Sequence, residues 1–374
     1  MKSKPFIVGQ RKNALFLIII LALVLAITAF LFIKKTEKKT PSSTIAFVEK
    51  HMTNPNGTLA SYLQDFKSDN PDIVAGREAL SESLGFWMQT AVLNKDKQRF
   101  DGSLELLQEL FVSPQNYVYW KLRPDGKTEV NTNALGDDFR VIGALLDAYD
   151  LWQEKEVLDT AEKLTQTLRS SVTVDGYFVD YHDFKHESSA DALSLAYVDT
   201  AALQAMQRHG LVDRNLLEKH TDLLLNMPND GAFFPKTFQV TSRKYRYDQE
   251  INLIDQLIVA IHRAELGESV EPLTGFLKQE LTARNMLPGR YDRETREPSV
   301  KYESPAVYGL AILLAYETKD RTWAEQLYPY MIAMRDNDPN FEGGYVFDRN
   351  SHLFDNLVPL LAEICYLRNA SDIK

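Results

Sequence analysis

NALGDDFRVIGALLDAYDLW, residues 133 to 152, is the stretch whose reading decides the fold. Phe139, Ile142, Leu145, Leu146, Tyr149 and Trp152 recur at steps of three and four, which is the period of one helix face. Asp137 and Asp138 stand at its start, where a carboxylate caps a helix and favours the positive end of its dipole. Capping alone would account for both unless other acids in the chain belong with them.

Outward from this helix the same period continues in both directions. Segments near 58–67, 76–93, 98–112, 137–154, 157–169, 189–209, 214–226, 248–265, 270–284, 303–317, 321–335 and 353–368 all carry apolar residues at helical steps, which predicts about twelve helices. Two aromatic stretches with turn signals, YVYWKLRPDGKTEV at 117–130 and GAFFPKTFQVTSRKYRYD at 231–248, read as hairpins. Helix pairs joined at one end by such elaborated loops suit a closed ring of α-hairpins. A superhelical solenoid is the competing layout, but the sequence has no fixed period of roughly 34 or 40 residues.

Near the N-terminus, residues 14–33 run ALFLIIILALVLAITAFLFI, with Thr28 the one polar side chain. Twenty such residues in a helix span about 30 Å, the hydrocarbon thickness of a bilayer. The run is too long for the core of a cleaved signal, and no small-x-small site follows it. The sole cysteine, Cys365, lies at the far end and argues against a lipidated N-terminus. The expected organisation is a cytoplasmic tail (1–12), a single-pass transmembrane signal anchor (13–34), a polar linker (35–47) and one extracellular domain (48–374). Lysines and arginines flank the anchor equally on both sides, so orientation rests on the short tail.

The formal net charge of −10 combines +7 over the first forty residues with −17 over the remainder. A domain this acidic repels phosphate backbones, which excludes nucleic acid as a partner and leaves neutral or cationic polymers open.

Two further acids stand out. Glu82, in GREALSESLGFWMQTAVL at 76–93, lies off the apolar stripe of its helix, beside Gly85, Phe86 and Gln89. Asp248, in KYRYDQEINLIDQLIVAI, begins an apolar stripe, so a buried carboxylate at a helix start is expected there. A solvated Glu and a helix cap are the plain alternatives.

Taken together, these segments resemble glycoside hydrolase family 8, the bacterial endo-β-glycanases. Residues 133–152 resemble the family's Ala-Ser/Thr-Asp-Ala/Gly-Asp helix, with Ala134, Asp138, Val141, Ala144, Leu145, Leu146, Ala148 and Trp152 in register. SESLGFWM at 81–88 resembles the segment that carries the proton donor, and Tyr247-Asp248 the segment that carries the base. The chain departs from the pattern at Gly136, where the family has a sugar-binding Asp, at Ser83 and at Ile251, where it commonly has Gly and Arg respectively.

The resemblance implies an all-α (α/α)6 toroid and inverting hydrolysis of a polysaccharide. Glu82 would be the general acid and Asp248 the general base, with their carboxyls roughly 6.5–9.5 Å apart to admit a water. It further implies that Asp137 or Asp138 holds the sugar and that no cofactor or metal is needed. Sugar rings stack their apolar C–H faces on flat aromatics, which makes Trp87, Trp120 and Tyr247 the expected binding residues. Tyr119, Phe234 and Tyr245 are further candidate platforms. His182 and His186 have a metal-like spacing, but without a third ligand they read as a satisfied or solvated pair.

The function expected is that of a membrane-anchored extracellular endo-glycanase acting on a β-linked exopolysaccharide, with the exopolysaccharide synthesis machinery as a candidate partner. The losses at Gly136 and Ile251 motivate an alternative, a catalytically silent glycan-binding or scaffold subunit of a secretion complex. A lyase or phosphorylase on the same ring is a third reading.

Overall fold

The computed structural model describes residues 41–70 and 73–371, so the anchor expected at 13–34 lies outside the described residues. Among the described residues twelve α-helices follow one another: α1 (Pro41–His51), α2 (Ser81–Leu93), α3 (Lys97–Leu106), α4 (Leu135–Trp152), α5 (Lys155–Ser171), α6 (Thr200–Arg208), α7 (Arg214–Leu225), α8 (Leu253–Glu265), α9 (Glu271–Arg284), α10 (Pro305–Glu317), α11 (Arg321–Ala333) and α12 (Phe354–Ser371).

The even-numbered helices close a ring, with α2 packed on α4, α4 on α6, α6 on α8, α8 on α10, α10 on α12 and α12 back on α2. Odd-numbered helices pack outside them, α3 on α2, α5 on α4, α7 on α6 and α8, α11 on α10, and α1 on α12. The sequence divides the same way. Ring helix α10 is buried at ten of its thirteen positions, whereas outer helix α5 buries one stripe of Val157, Thr160, Ala161, Leu164, Thr165 and Leu168. A helix covered on two sides must be apolar nearly all round; one covered on a single side is amphipathic.

Because each outer helix returns the chain, the ring helices run in one direction and all begin on one face. Short ladders decorate that face. Ala79–Leu80 pairs with Lys121–Leu122 ahead of α2, Ala192–Ser194 pairs with Thr237–Gln239 and that strand with Lys244–Arg246 ahead of α8, and Glu250–Asn252 pairs with Arg290–Asp292.

Four expectations need correction. Residues 58–67 form no helix; Ser61 and Leu63 hydrogen-bond to Glu78 and Ser351, and Tyr62 bridges His352, so backbone partners from elsewhere override the helical spacing. The twelfth helix is α1 instead. It takes up residues 41–47 of the expected linker, and Thr44, Phe47 and Val48 are buried. The region 117–130 turns at Arg123–Gly126, but its strand pairs with Ala79–Leu80 and not with its own other half. Helices expected from 189 and 248 start at Thr200 and Leu253, because strands occupy the residues before them. Among the described residues no helix is long and apolar enough to cross a membrane.

Candidate active site

Six of the twelve described helices, unlike α5 and α9, begin on a side-chain cap: Asp96 for α3, Asp199 for α6, Asp213 for α7, Asn252 for α8, Ser304 for α10 and Asp320 for α11 each accept a backbone N–H. The two that meet at the candidate site do not. The cap positions of α2 and α4 are Leu80 and Ala134, which make no such bond, and Glu82 and Asp137 occupy the first turns. Asp137 accepts the hydroxyl of Ser81 at 2.7 Å and a backbone N–H from Glu82, so it serves the open end of α2 from across the interface.

Arg140 completes this cluster. Its Nη1 stands 3.7 Å from Asp137 Oδ1 and 4.0 Å from Glu82 Oε1, and its guanidinium lies 4.0 Å over the Phe86 ring. Gly85 makes room for the stem, since a Cβ there would lie 3.0 Å from Arg140 Cγ. Burial and then the charge of Asp137 push the Glu82 carboxyl up to about 7, against the pull of Arg140. Burial also raises Asp137, opposed by Arg140, Ser81 and the Glu82 N–H. With 27% of its side chain exposed, Glu82 remains reachable.

Beside these acids opens a recess of about 520 Å³ lined by Trp120, Thr132, Asn133, Ala134, Asp180, Tyr181, Asp183 and Tyr197. Trp120 is brought there by Ser81, whose N–H donates to the Trp120 carbonyl. Tyr197 ends a 3-10 turn, and its ring lies on Gly136, where a Cβ would come within 2.5 Å of Tyr197 Cδ1. The phenol is raised by burial and by the charges of Asp137, Asp180, Glu82 and Asp255, which places it among all four. Asp180, itself raised by burial, accepts from the N–H and hydroxyl of Ser194 at 2.6 and 2.8 Å. A flat ring beside carboxylates in an open recess is what a sugar needs, with an apolar C–H face to stack and hydroxyls to bind.

Asp248 is not the buried helix-starting acid expected. It precedes the strand Glu250–Asn252, its side chain is 49% exposed, and Lys236 Nζ lies 2.8 Å from Oδ2. Lys236 also lies 3.7 Å from Asp255, in the first turn of α8, and its charge acts on Asp180. Through Lys236 and Asp255 the segment carrying Asp248 borders the same group of acids as Glu82.

The other expected residues divide. Asp138 is 2% exposed and accepts from Asn133 Nδ2 at 2.6 Å, while Asn133 Oδ1 receives the His182 N–H. Enclosed in this way it cannot touch a sugar, and it fixes the loop ahead of α4 instead. Trp87 is buried under Arg99, 5.0 Å from its ring centroid, and faces the outer helix α3. The helix turns it away from Glu82, so it is no platform. Tyr247 is held by Arg293, 3.8 Å over its ring, and donates its hydroxyl to the Pro228 carbonyl. Phe234 is core, and Tyr245 bonds the Leu223 carbonyl. His182 and His186 take separate partners, Ser189 and Asp183. Trp120 is thus the expected platform that lines the recess. Arg140 could have been noticed as the one cation of α4, three residues after Asp137; Asp180, Tyr197 and Lys236 carry no local signal.

A ring of six parallel inner helices inside six outer ones, with acids at the inner helix starts, is the (α/α)6 fold of glycoside hydrolase family 8. Endoglucanases and xylanases of that family superpose with TM-scores of 0.58 to 0.61 at 12 to 16% identity. An α-amylase from Clostridium perfringens superposes with TM-score 0.78 at 22% identity over 87% of this chain and 97% of that one. PssZ from Listeria monocytogenes does so with TM-score 0.71 at 25% identity over 86% of this chain and 94% of that one. In sequence, Putative lipoprotein YdaJ of Bacillus subtilis (strain 168) is 34% identical over 320 residues, 85% of this chain and 84% of that protein. The chain belongs to the family of YdaJ. No family model matches it.

Proposed function

We propose that the chain is a membrane-tethered glycoside hydrolase that cleaves within an exopolysaccharide by inversion, with Glu82 as general acid and Asp248 as general base. The observation that carries this reading is a reachable glutamic acid at the head of a ring helix that keeps its proton to about pH 7 beside a recess walled by Trp120, Tyr181 and Tyr197. Protonated Glu82 gives its proton to the glycosidic oxygen as the bond to the anomeric carbon breaks. Water attacks that carbon from the opposite face and yields its proton to Asp248, whose orientation Lys236 fixes. A recess open to solvent suits a site that binds the interior of a chain.

The similar solved proteins include both an α-amylase and endoglucanases, so the bond cleaved is to be sought among α- and β-linked polymers alike. YdaJ is named as a lipoprotein, whereas the one cysteine here, Cys365, lies in α12, so the apolar run 14–33 would serve as the tether. The test is reducing-end release from the producing cell's exopolysaccharide, starch, xylan and soluble cellulose. Glu82→Gln and Asp248→Asn are each expected to abolish it with the fold intact, and full activity in either removes that residue's assignment.

The ion pair between Lys236 and Asp248 favours the silent glycan-binding subunit as a second reading, because a base engaged by a cation has less freedom to take a proton. Polymer retained by the wild-type chain but never shortened would establish it.

A further inference from the structure

Glu82 and Asp137 are acids that share the Arg140 guanidinium in one partly buried corner, and two like charges there are costly, so the pair holds on to a proton. Which acid carries it is not a matter of symmetry. Asp137 accepts the Ser81 hydroxyl and the first-turn N–H of Glu82, and Arg140 Nη1 lies nearer to it, at 3.7 Å against 4.0 Å for Glu82. Among the described residues no hydrogen bond is seen to reach the Glu82 carboxyl. Arg140 is itself held in place, its stem lying over Gly85 and its guanidinium on Phe86.

We propose that Ser81, the N-terminus of α2 and Arg140 together hold Asp137 as the charged member of the pair, so that the retained proton sits on Glu82 and can be handed to a glycosidic oxygen. Asp137 is then a positioning residue and not the sugar ligand. The inference deepens the reading of Glu82 as the acid and rests on it only for its catalytic meaning.

The charged groups around Glu82 are few. From α4 come Asp137 and Arg140, and from the 3-10 turn comes Tyr197, whose phenol feels the charge of Glu82. His262 of α8 feels the charge of Arg140. The adjoining ring helix α12 meets α2 through Phe354 against Phe86, while its Asp355 is taken by Ser304.

Removing either charge moves the proton equilibrium in opposite directions, which gives the test. In the purified full chain, infrared difference spectra of the carboxylic C=O stretch, wild type minus Glu82→Gln, isolate the protonated Glu82, with a midpoint expected near pH 7. Asp137→Asn is expected to lower that midpoint by about one pH unit or more and Arg140→Gln to raise it by a similar amount, with Arg140→Lys close to wild type. Ser81→Ala is expected to shift part of the signal to Asp137, as a band that Glu82→Gln no longer removes. A wild-type band abolished by Asp137→Asn instead of Glu82→Gln, or a midpoint that neither charge substitution moves, overturns the proposal; either folded variant decides alone. Turnover is not needed for this readout. If the proton is placed as stated but no glycan is hydrolysed, the catalytic reading falls and the placement stands. If hydrolysis is lost in Glu82→Gln while Arg140→Gln leaves the midpoint unmoved, the placement falls and the catalytic reading stands.

Discussion

Gly136 shows how one position can be read backwards from sequence. It stands where the resembling family has a sugar-binding carboxylate, and so it looks like a loss; in the folded chain its missing side chain is what admits the ring of Tyr197. Gly136→Ala is therefore expected to displace Tyr197, costing about 1–3 kcal/mol as an overpacked contact, read by urea unfolding, and to weaken sugar binding more than turnover. A wild-type binding curve in a folded variant would remove Tyr197 from the site. An acid catalyst is active while protonated, so hydrolysis should decline as pH rises through about 7. The sign for stability is the same. A carboxyl at about 7 when folded and 4.5 when unfolded adds stability that is complete below 4.5 and is lost as pH rises to about 7.

Among the elements, the seam between the two ends of the chain depends on one buried ion pair. Arg335, just after α11, meets both oxygens of Glu363 in α12 at 2.6 and 2.8 Å and reaches Thr44 of α1 at 3.1 Å; neither charged side chain is exposed. Burial holds the Glu363 carboxyl near 7 even against Arg335. Arg335→Met leaves the acid without its cation and is expected to cost about 3–5 kcal/mol in denaturant unfolding. Arg335→Met combined with Glu363→Leu should recover much of that, because the pair is then replaced and not broken. Nothing in the local sequence announces this pair, whose members are 28 residues apart and join only when the ring closes. By contrast, helices α4, α5 and α9 to α12 are where the sequence places them, give or take a turn.

At the scale of the molecule, closure depends on where the domain begins. Removing residues 1–40 leaves α1 whole, and the remaining chain is expected to unfold in one cooperative transition. Beginning at residue 52 removes Thr44, Phe47 and Val48 from the seam, and loss of a buried phenylalanine alone costs about 3–5 kcal/mol. That shorter chain should unfold broadly or not fold, and calorimetry separates the two outcomes. A sharp transition at the wild-type temperature would show that α1 is dispensable.

By itself the sequence determined the repeated helical period, and it placed Glu82 in the first turn of α2, because periodicity and first-turn position are local properties of the chain; that the hairpins close into a ring and do not coil into a solenoid came from the family resemblance and from the packing of α12 on α2. Only the tertiary structure decided that Asp137 and not Asp138 meets Glu82, that Trp87 turns outward, that Asp248 lies exposed against Lys236, and that Tyr197 fills the space over Gly136. The physical reason is that a ring helix is covered on two sides. Its apolar pattern then fixes that it is buried but not which neighbour each polar residue faces, and that choice is made by charges and rings arriving from distant turns.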